Sequence, residues 1–219
     1  MWSMNQKITT FQFSEKTIVN MRPQPQQLSA FQDFIADRIL LSREEWLRTA
    51  ACIEVLHCNA DMLLLKEGQT CRHLYFSNQG LMRFFVVSAD GKDTTKFFTP
   101  EHQLFTSQQS FSTQTPSREC IQALSDAELL ALPHAALQLL YQDVPKWQTF
   151  IRRVLQEVNG MTERMYMDSI TITAEDRYRN LLRDEPNIAL RAPLKHIASY
   201  LGVTPESLSR IRKKIAEEK

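Results

Sequence analysis

Glycine is scarce in this chain, 5 residues in 219, and nowhere do glycines gather into a phosphate-cradling loop. That excludes the common nucleotide-phosphate motifs. Four cysteines, Cys52, Cys58, Cys71 and Cys120, form no C-x-x-C pair and join no histidine at zinc-ligand spacing. They read as reduced core thiols of a cytoplasmic protein. No run reaches the ~18 apolar residues of a membrane span. The N-terminus, with Lys7, Glu15 and Lys16 among polar residues, lacks the apolar segment of an export signal. There is no Ser/His/Asp ordering, metal-ligand cluster or confined carboxylate pair, so nothing points to an enzyme. Net charge is also small, only +1, and a nucleic-acid or membrane partner would have to be met by a local patch.

What is present is enough apolar residue, 43%, to bury a full core, together with 23% charged residues. That composition fits one large domain or two small ones and argues against disorder. The charge is unevenly placed. Residues 1–150 carry 13 basic and 15 acidic side chains, whereas residues 151–219 carry 13 and 10. Positive excess therefore lies in the C-terminal third.

Residues 1–27 read as a loose extension, closing on Arg22-Pro23-Gln24-Pro25-Gln26-Gln27, an extended linker by composition; Met21 is an alternative start. Two short helices follow, the second capped by Ser42 with Glu45 at the reciprocal position. From Ala60 the texture changes to short runs rich in Leu, Phe, Val and Tyr. They are separated by Lys66-Glu67-Gly68, Ser77-Asn78-Gln79-Gly80 and Ala89-Asp90-Gly91-Lys92. This punctuation predicts antiparallel strands of a sandwich or barrel over residues 62–132, the last two over 119–124 and 127–132. The domain they build, with the preceding helices, is assigned to residues 28–142.

After Pro133 the period lengthens. Trp147, Ile151, Val154, Val158, Met161 and Met165 follow at spacings of 4, 3, 4, 3 and 4, the seam of a helix that packs along a partner helix. Asp143 is the expected cap, and Gly160 marks a close approach or bend. The long helix is placed at residues 143–170. An amphipathic helix lying on its own β domain would show a similar stripe and is the alternative.

Residues 171–219 hold two further helices, Leu194 to Leu201 and Thr204 to Ile215, joined by Gly202-Val203. Ile197, Leu201, Val203, Leu208 and Ile211 close on one small core, with Ala198 at the crossing and Gly202 supplying a positive-φ turn. Thr204 is the N-cap of the second helix and Pro205 its first residue. This register turns Glu206, Ser207, Ser209 and Arg210 outward at the N-terminal end, suited to base edges in a major groove. Arg210 matches the two acceptors of a guanine and Glu206 a cytosine amino group. Lys195, His196, Thr204, Arg212, Lys213 and Lys214 are the candidate phosphate contacts.

With these residues in hand, the chain resembles the CRP/FNR family over nearly all of residues 28–215. The resemblance is carried by Leu63-Leu64-Leu65-Lys66-Glu67-Gly68, by Leu74-Tyr75-Phe76 with Gly80, by the long helix and by the run from Pro193 to Ile215. That last run looks particularly like the Bacteroidetes branch, and Glu206, Ser209 and Arg210 match the FNR-type Glu, Ser and Arg. The resemblance implies an α+β chain of two domains. The first is an N-terminal antiparallel β-roll of the cyclic-nucleotide-binding, jelly-roll type, followed by a dimerisation helix. The second is a helical helix-turn-helix domain. It further implies a homodimeric transcription regulator that reads a palindromic promoter site, with RNA polymerase as a further partner.

The departures are specific. Where relatives that hold cyclic AMP carry Gly-Glu and Arg-Ser pairs, this chain has Thr106-Ser107 and Ser117-Arg118, the latter in swapped order. Thr106 lacks glycine's freedom and Ser107 lacks the carboxylate for a ribose hydroxyl, so no cofactor is expected and cyclic AMP is not the expected effector. A pocket, if kept, is lined by Phe84, Phe97, Thr106, Ser107, Ser117 and Arg118; alternatively, Phe84, Phe97, Phe98 and Phe105 simply fill it. The cysteines are spaced too widely for the family's iron–sulfur cluster. The connector from Asp184 to Ala192 and the few residues beyond Ile215 leave little chain for a β-hairpin wing, so a reduced or absent wing is expected. The competing function is a ligand- or protein-binding roll whose helix-turn-helix serves protein contacts rather than DNA.

Overall fold

The computed structural model describes residues 22–218. The expected extension over residues 1–21 lies outside the described residues. Its end is not a linker: α1 runs from Pro25 to Ala36. Proline at the first helical position loses no hydrogen bond there, because that N–H has no intrahelical acceptor. The Gln24 backbone N–H donates to Gln27 Oε1 at 2.9 Å, a local signal hidden by the Pro/Gln composition. The second helix, α2 (Arg43–Ala51), starts as expected, with Ser42 Oγ accepting from the Glu45 N–H at 3.2 Å and Glu45 Oε2 accepting from the Ser42 N–H at 2.6 Å.

Eight strands follow: β1 (Glu54–Cys58), β2 (Leu63–Leu65), β3 (His73–Gln79), β4 (Met82–Val87), β5 (Asp93–Thr99), β6 (Leu104–Phe105), β7 (Cys120–Ala123) and β8 (Ala127–Pro133), with the short helix α3 (Gln108–Thr113) between β6 and β7. They form two antiparallel four-stranded sheets, ordered β1-β8-β3-β6 and β2-β7-β4-β5. The first strand begins earlier than residue 62. It follows α2 with no Gly or Pro boundary, and its pairing with the distant β8 (Val55 opposite Leu130) is not visible locally. Gly80 turns the chain between β3 and β4 at φ +105°, where a Cβ would lie 2.4 Å from that of Ala127. No other residue fits that corner.

Five helices continue the chain: α4 (His134–Asp143), α5 (Lys146–Thr171), α6 (Ala174–Asp184), α7 (Pro186–Arg191) and α8 (Leu194–Tyr200), before the final α9 (Pro205–Glu217). Asp143 closes α4 instead of capping α5. The 26-residue α5 is continuous through Gly160, where a Cβ would meet only the Arg164 guanidinium at 3.7 Å within the chain. The Asp184–Ala192 connector folds as α7, and no strand follows Pro133 among the described residues.

The described residues form two cores. The larger joins the sheets to α1 and the start of α5. In it Phe31 packs 5.1 Å from Phe76 and the fully buried Trp147 5.1 Å from Phe150, ring centre to ring centre. The second is built from Tyr178, Leu181, Ile188, Ile197, Ala198, Leu201, Leu208 and Ile215, and it also takes in Leu81 and Phe98 from the roll. Phe98 is one of the four rings that would fill the roll interior on the alternative reading. It lies instead on the outer face, edge-on to Tyr200 at 5.6 Å. The C-terminal unit thus shares its core with the roll.

Candidate nucleic-acid interface

The start of α9 is fixed by Thr204, whose Oγ1 accepts from the Ser207 N–H at 3.2 Å. Its hydroxyl is therefore committed to the cap, worth about 1 kcal/mol. Leu208 and Ile215 are buried while Glu206, Ser209, Arg210, Arg212 and Lys213 are exposed. At 100° per residue Glu206, Ser209, Arg210 and Lys213 share one outward face. Ser207 is half-buried, accepting from Thr204 Oγ1 at 3.1 Å and, at the long distance of 3.4 Å, from Arg210. Its own backbone N–H, the Thr204 hydroxyl and the charge of Arg210 hold the Glu206 carboxyl below its ordinary pKa. At neutral pH it is an acceptor only, as contact with a base amino group requires.

The rear of α9 is tied to α6. Lys214 Nζ lies 2.8 Å from Glu175 Oε2, and Arg179 meets Glu175 at 2.8 Å and Glu218 at 2.5 Å. Lys214, expected on phosphate, is engaged in this surface network. Lys213 lies 3.8 Å from Glu217, a loose and exposed pair, and shares the outward face. Lys195 is exposed as expected.

His196 requires correction. It is buried, and its Nδ1 lies 2.6 Å from Arg83 Nη1 on the roll, so it is no phosphate contact. Burial, then the charges of Arg83 and Lys195, push its pKa down to about 4. Neutral His196 accepts a hydrogen bond from the Arg83 N–H at Nδ1. A signal for this existed: His196, Ser199 and Tyr200 form an uncharged polar face one turn long, whereas Lys195 beside them is charged and exposed.

The sensor-side residues are brought together but turned inward. Ser107 and Ser117 are buried, with their hydroxyls 3.0 Å apart, and Ser117 Oγ donates to Glu119 O at 2.9 Å. Thr106 Oγ1 donates to His73 O at 2.9 Å. Phe84 stacks on Phe97 at 4.2 Å and meets Phe105 edge-on at 6.1 Å. Arg118 is exposed, outside this cluster. Among the described residues no group of His, Cys, Asp and Glu could hold a metal ion.

The expected helix seam divides. Trp147 belongs to the roll core, its indole N–H donating to Thr49 Oγ1 at 2.9 Å, and Ile151 and Val154 also pack on that core. Here the alternative of a helix lying on its own domain holds for the first turns. Beyond them Val158 and Met165 are half-buried and Met161 is 42% exposed. Beside that contact the helix carries Leu155, Val158, Thr162, Met165 and Ser169, again at spacings of three and four. Leu155 lies outside the expected stripe because one sequence permits two stripes rotated by a residue, and the burial of Trp147 and Phe150 fixes which face of α5 lies on the roll.

Comparison with known proteins agrees with this architecture. Residues 55–143 match the model of the cyclic nucleotide-binding domain. Among solved structures, FixK2 from Bradyrhizobium japonicum is similar at 16% identity, with 76% of this chain and 85% of that chain covered and a TM-score of 0.68. A putative transcriptional regulator of the crp/fnr family from Eubacterium rectale is 16% identical, with 88% of each chain covered and a TM-score of 0.66. CLP from Xanthomonas campestris, a c-di-GMP-responsive global regulator, is 17% identical, with 81% of this chain and 93% of that one covered and a TM-score of 0.64. No curated protein matches the chain. Residues 55–143 thus match the cyclic nucleotide-binding domain model, and the chain shares its fold with the putative crp/fnr-family regulator.

Proposed function

We propose that this protein is a sequence-specific, DNA-binding transcription regulator that acts as a cytoplasmic homodimer, with the roll as its effector-sensing domain. The observation that carries the reading is the outward face of α9. Glu206, Ser209, Arg210 and Lys213 stand exposed on a helix whose start is capped and whose rear is buried. The positive excess of residues 151–219 supports it. Glu206, Ser209 and Arg210 read base edges, while Lys195, Arg212 and Lys213 hold phosphates.

Pairing of two copies through Ile151, Leu155, Val158 and Met165 gives the twofold symmetry that a palindromic site demands. It carries the two α9 helices toward the ~34 Å separation of successive major grooves. The effector is not cyclic AMP, a reading supported by Thr106-Ser107 in place of a Gly-Glu pair and by the Ser107–Ser117 hydrogen bond across the loop.

The test is DNA binding followed by fluorescence anisotropy at increasing salt. We expect affinity to fall steeply and linearly in log–log form, and Leu155→Glu to yield monomers by sedimentation with weakened DNA binding. Absence of DNA binding at low salt would instead favour a helix-turn-helix used for protein contacts.

A further inference from the structure

The edge of one sheet is covered by the reading unit itself. In the β2-β7-β4-β5 sheet, β5 has no strand beyond it among the described residues, and an edge strand leaves N–H groups unpaired. Here α8 takes the neighbouring place. The Thr95 N–H donates to Ser199 Oγ at 2.9 Å, and Ser199 Oγ donates to Asp93 O at 3.2 Å. One serine hydroxyl thus acts as a fragment of a ninth strand. Flanking it, Phe98 meets Tyr200, and Arg191 pairs with Glu101 at 2.6 Å.

Beneath α8 lies a buried cation. Arg83 on β4 is stacked 4.0 Å over Phe85. Its Nη1 lies 2.7 Å from Asp93 Oδ1 and 2.6 Å from His196 Nδ1, and its Nη2 lies 2.9 Å from both Asp93 Oδ2 and Gln122 Oε1. Three of these acceptors belong to two residues of the roll; the fourth comes from the helix-turn-helix. A register irregularity makes this possible. Phe84 pairs with Phe97 but Phe85 with Thr95, so Lys96 is the extra residue of a bulge. The bulge turns Asp93 and Thr95 to the outer face while Phe97 remains inside on Phe84.

We propose that the Arg83–His196 hydrogen bond, with Ser199 on the β5 edge, is a clamp that seats the helix-turn-helix on its own roll and so sets the separation of the two α9 helices in the dimer. Arg83 and His196 are positioning residues and touch no DNA. The inference rests on the reading of α9 as the DNA-contacting helix, and it adds the device that aims it. Arg83 and Phe84 are neighbours on β4, one outside and one inside, so the clamp and the roll interior share a single strand.

The test uses the full chain with His196→Leu, which keeps the helix-forming, buried character of the position but removes the acceptor. His196→Asn, whose side-chain oxygen falls near Nδ1, serves as the conservative rescue. Hydrogen exchange is read at the Thr95 amide with the amides of β3 and β8 as internal controls. We expect exchange at Thr95 to quicken about tenfold or more in His196→Leu and Ser199→Ala, with the controls unchanged and His196→Asn close to wild type. On DNA, half-sites separated by varied spacers should give the wild type one sharp optimum. His196→Leu should flatten that dependence while leaving single half-site affinity unchanged. Wild-type protection at Thr95 and an unaltered spacing optimum in His196→Leu would overturn the clamp. A wild type that binds no DNA at all would overturn the reading of α9 instead, with the exchange measurement still deciding whether the clamp exists.

Discussion

The roll's closing loop and the last helix are built from the same polar residue types, yet they present them in opposite ways. In the loop, Ser107 and Ser117 bond each other and Thr106 bonds the His73 carbonyl, all turned inward. On α9, Thr204 spends its hydroxyl on the cap while Ser209, Arg210 and Glu206 face solvent. The difference comes from what surrounds them. Ser107 and Ser117 are buried, where an unpaired hydroxyl is costly, so they find partners within the fold. Leu208 and Ile215 take up the rear of α9 and leave its front free. The front of α9 is therefore open, and the loop of the roll is closed upon itself.

Four substitutions would break or sharpen that contrast. The largest effect is expected for Phe84→Ala, which empties the centre of the closed end and should cost about 3–5 kcal/mol of unfolding free energy in denaturant titration. DNA sequence preference should survive it. Ser117→Ala leaves Ser107 without its partner and should lower stability by about 1–3 kcal/mol, again without altering DNA preference. Lys213→Ala acts on the open end. It should leave the thermal midpoint unchanged and reduce the slope of log affinity against log salt by about 1. The smallest effect belongs to the helix between the ends. Gly160→Ala should raise stability by about 0.5–1 kcal/mol, since a Cβ there meets only the Arg164 guanidinium at ordinary contact distance.

What the sequence makes legible follows the same division. The last helix announces itself through contiguous signals, a Thr-Pro start and a glycine turn, and its observed start agrees with them because caps are local chemistry. The strands of 120–123 and 127–133 are equally readable between their turns. His196, Trp147 and Phe98 were misplaced for one shared reason. Each is buried by a partner more than ninety residues away, Arg83, Thr49 and Tyr200 respectively. No periodicity within α8, α5 or β5 names that partner. The start of α1 was obscured differently, since Pro and Gln suggest a linker unless proline is recognised at the first helical position.

The central claim is that α9 reads DNA through its exposed N-terminal face, and the most direct test is selection of bound sequences from a random DNA pool by wild type and Arg210→Ala. A palindromic consensus is expected for the wild type. In Arg210→Ala preference should be lost at one position of each half-site, with affinity for the wild-type site lowered by about 1–3 kcal/mol. An unchanged consensus in Arg210→Ala, or no enrichment by the wild type, would contradict it.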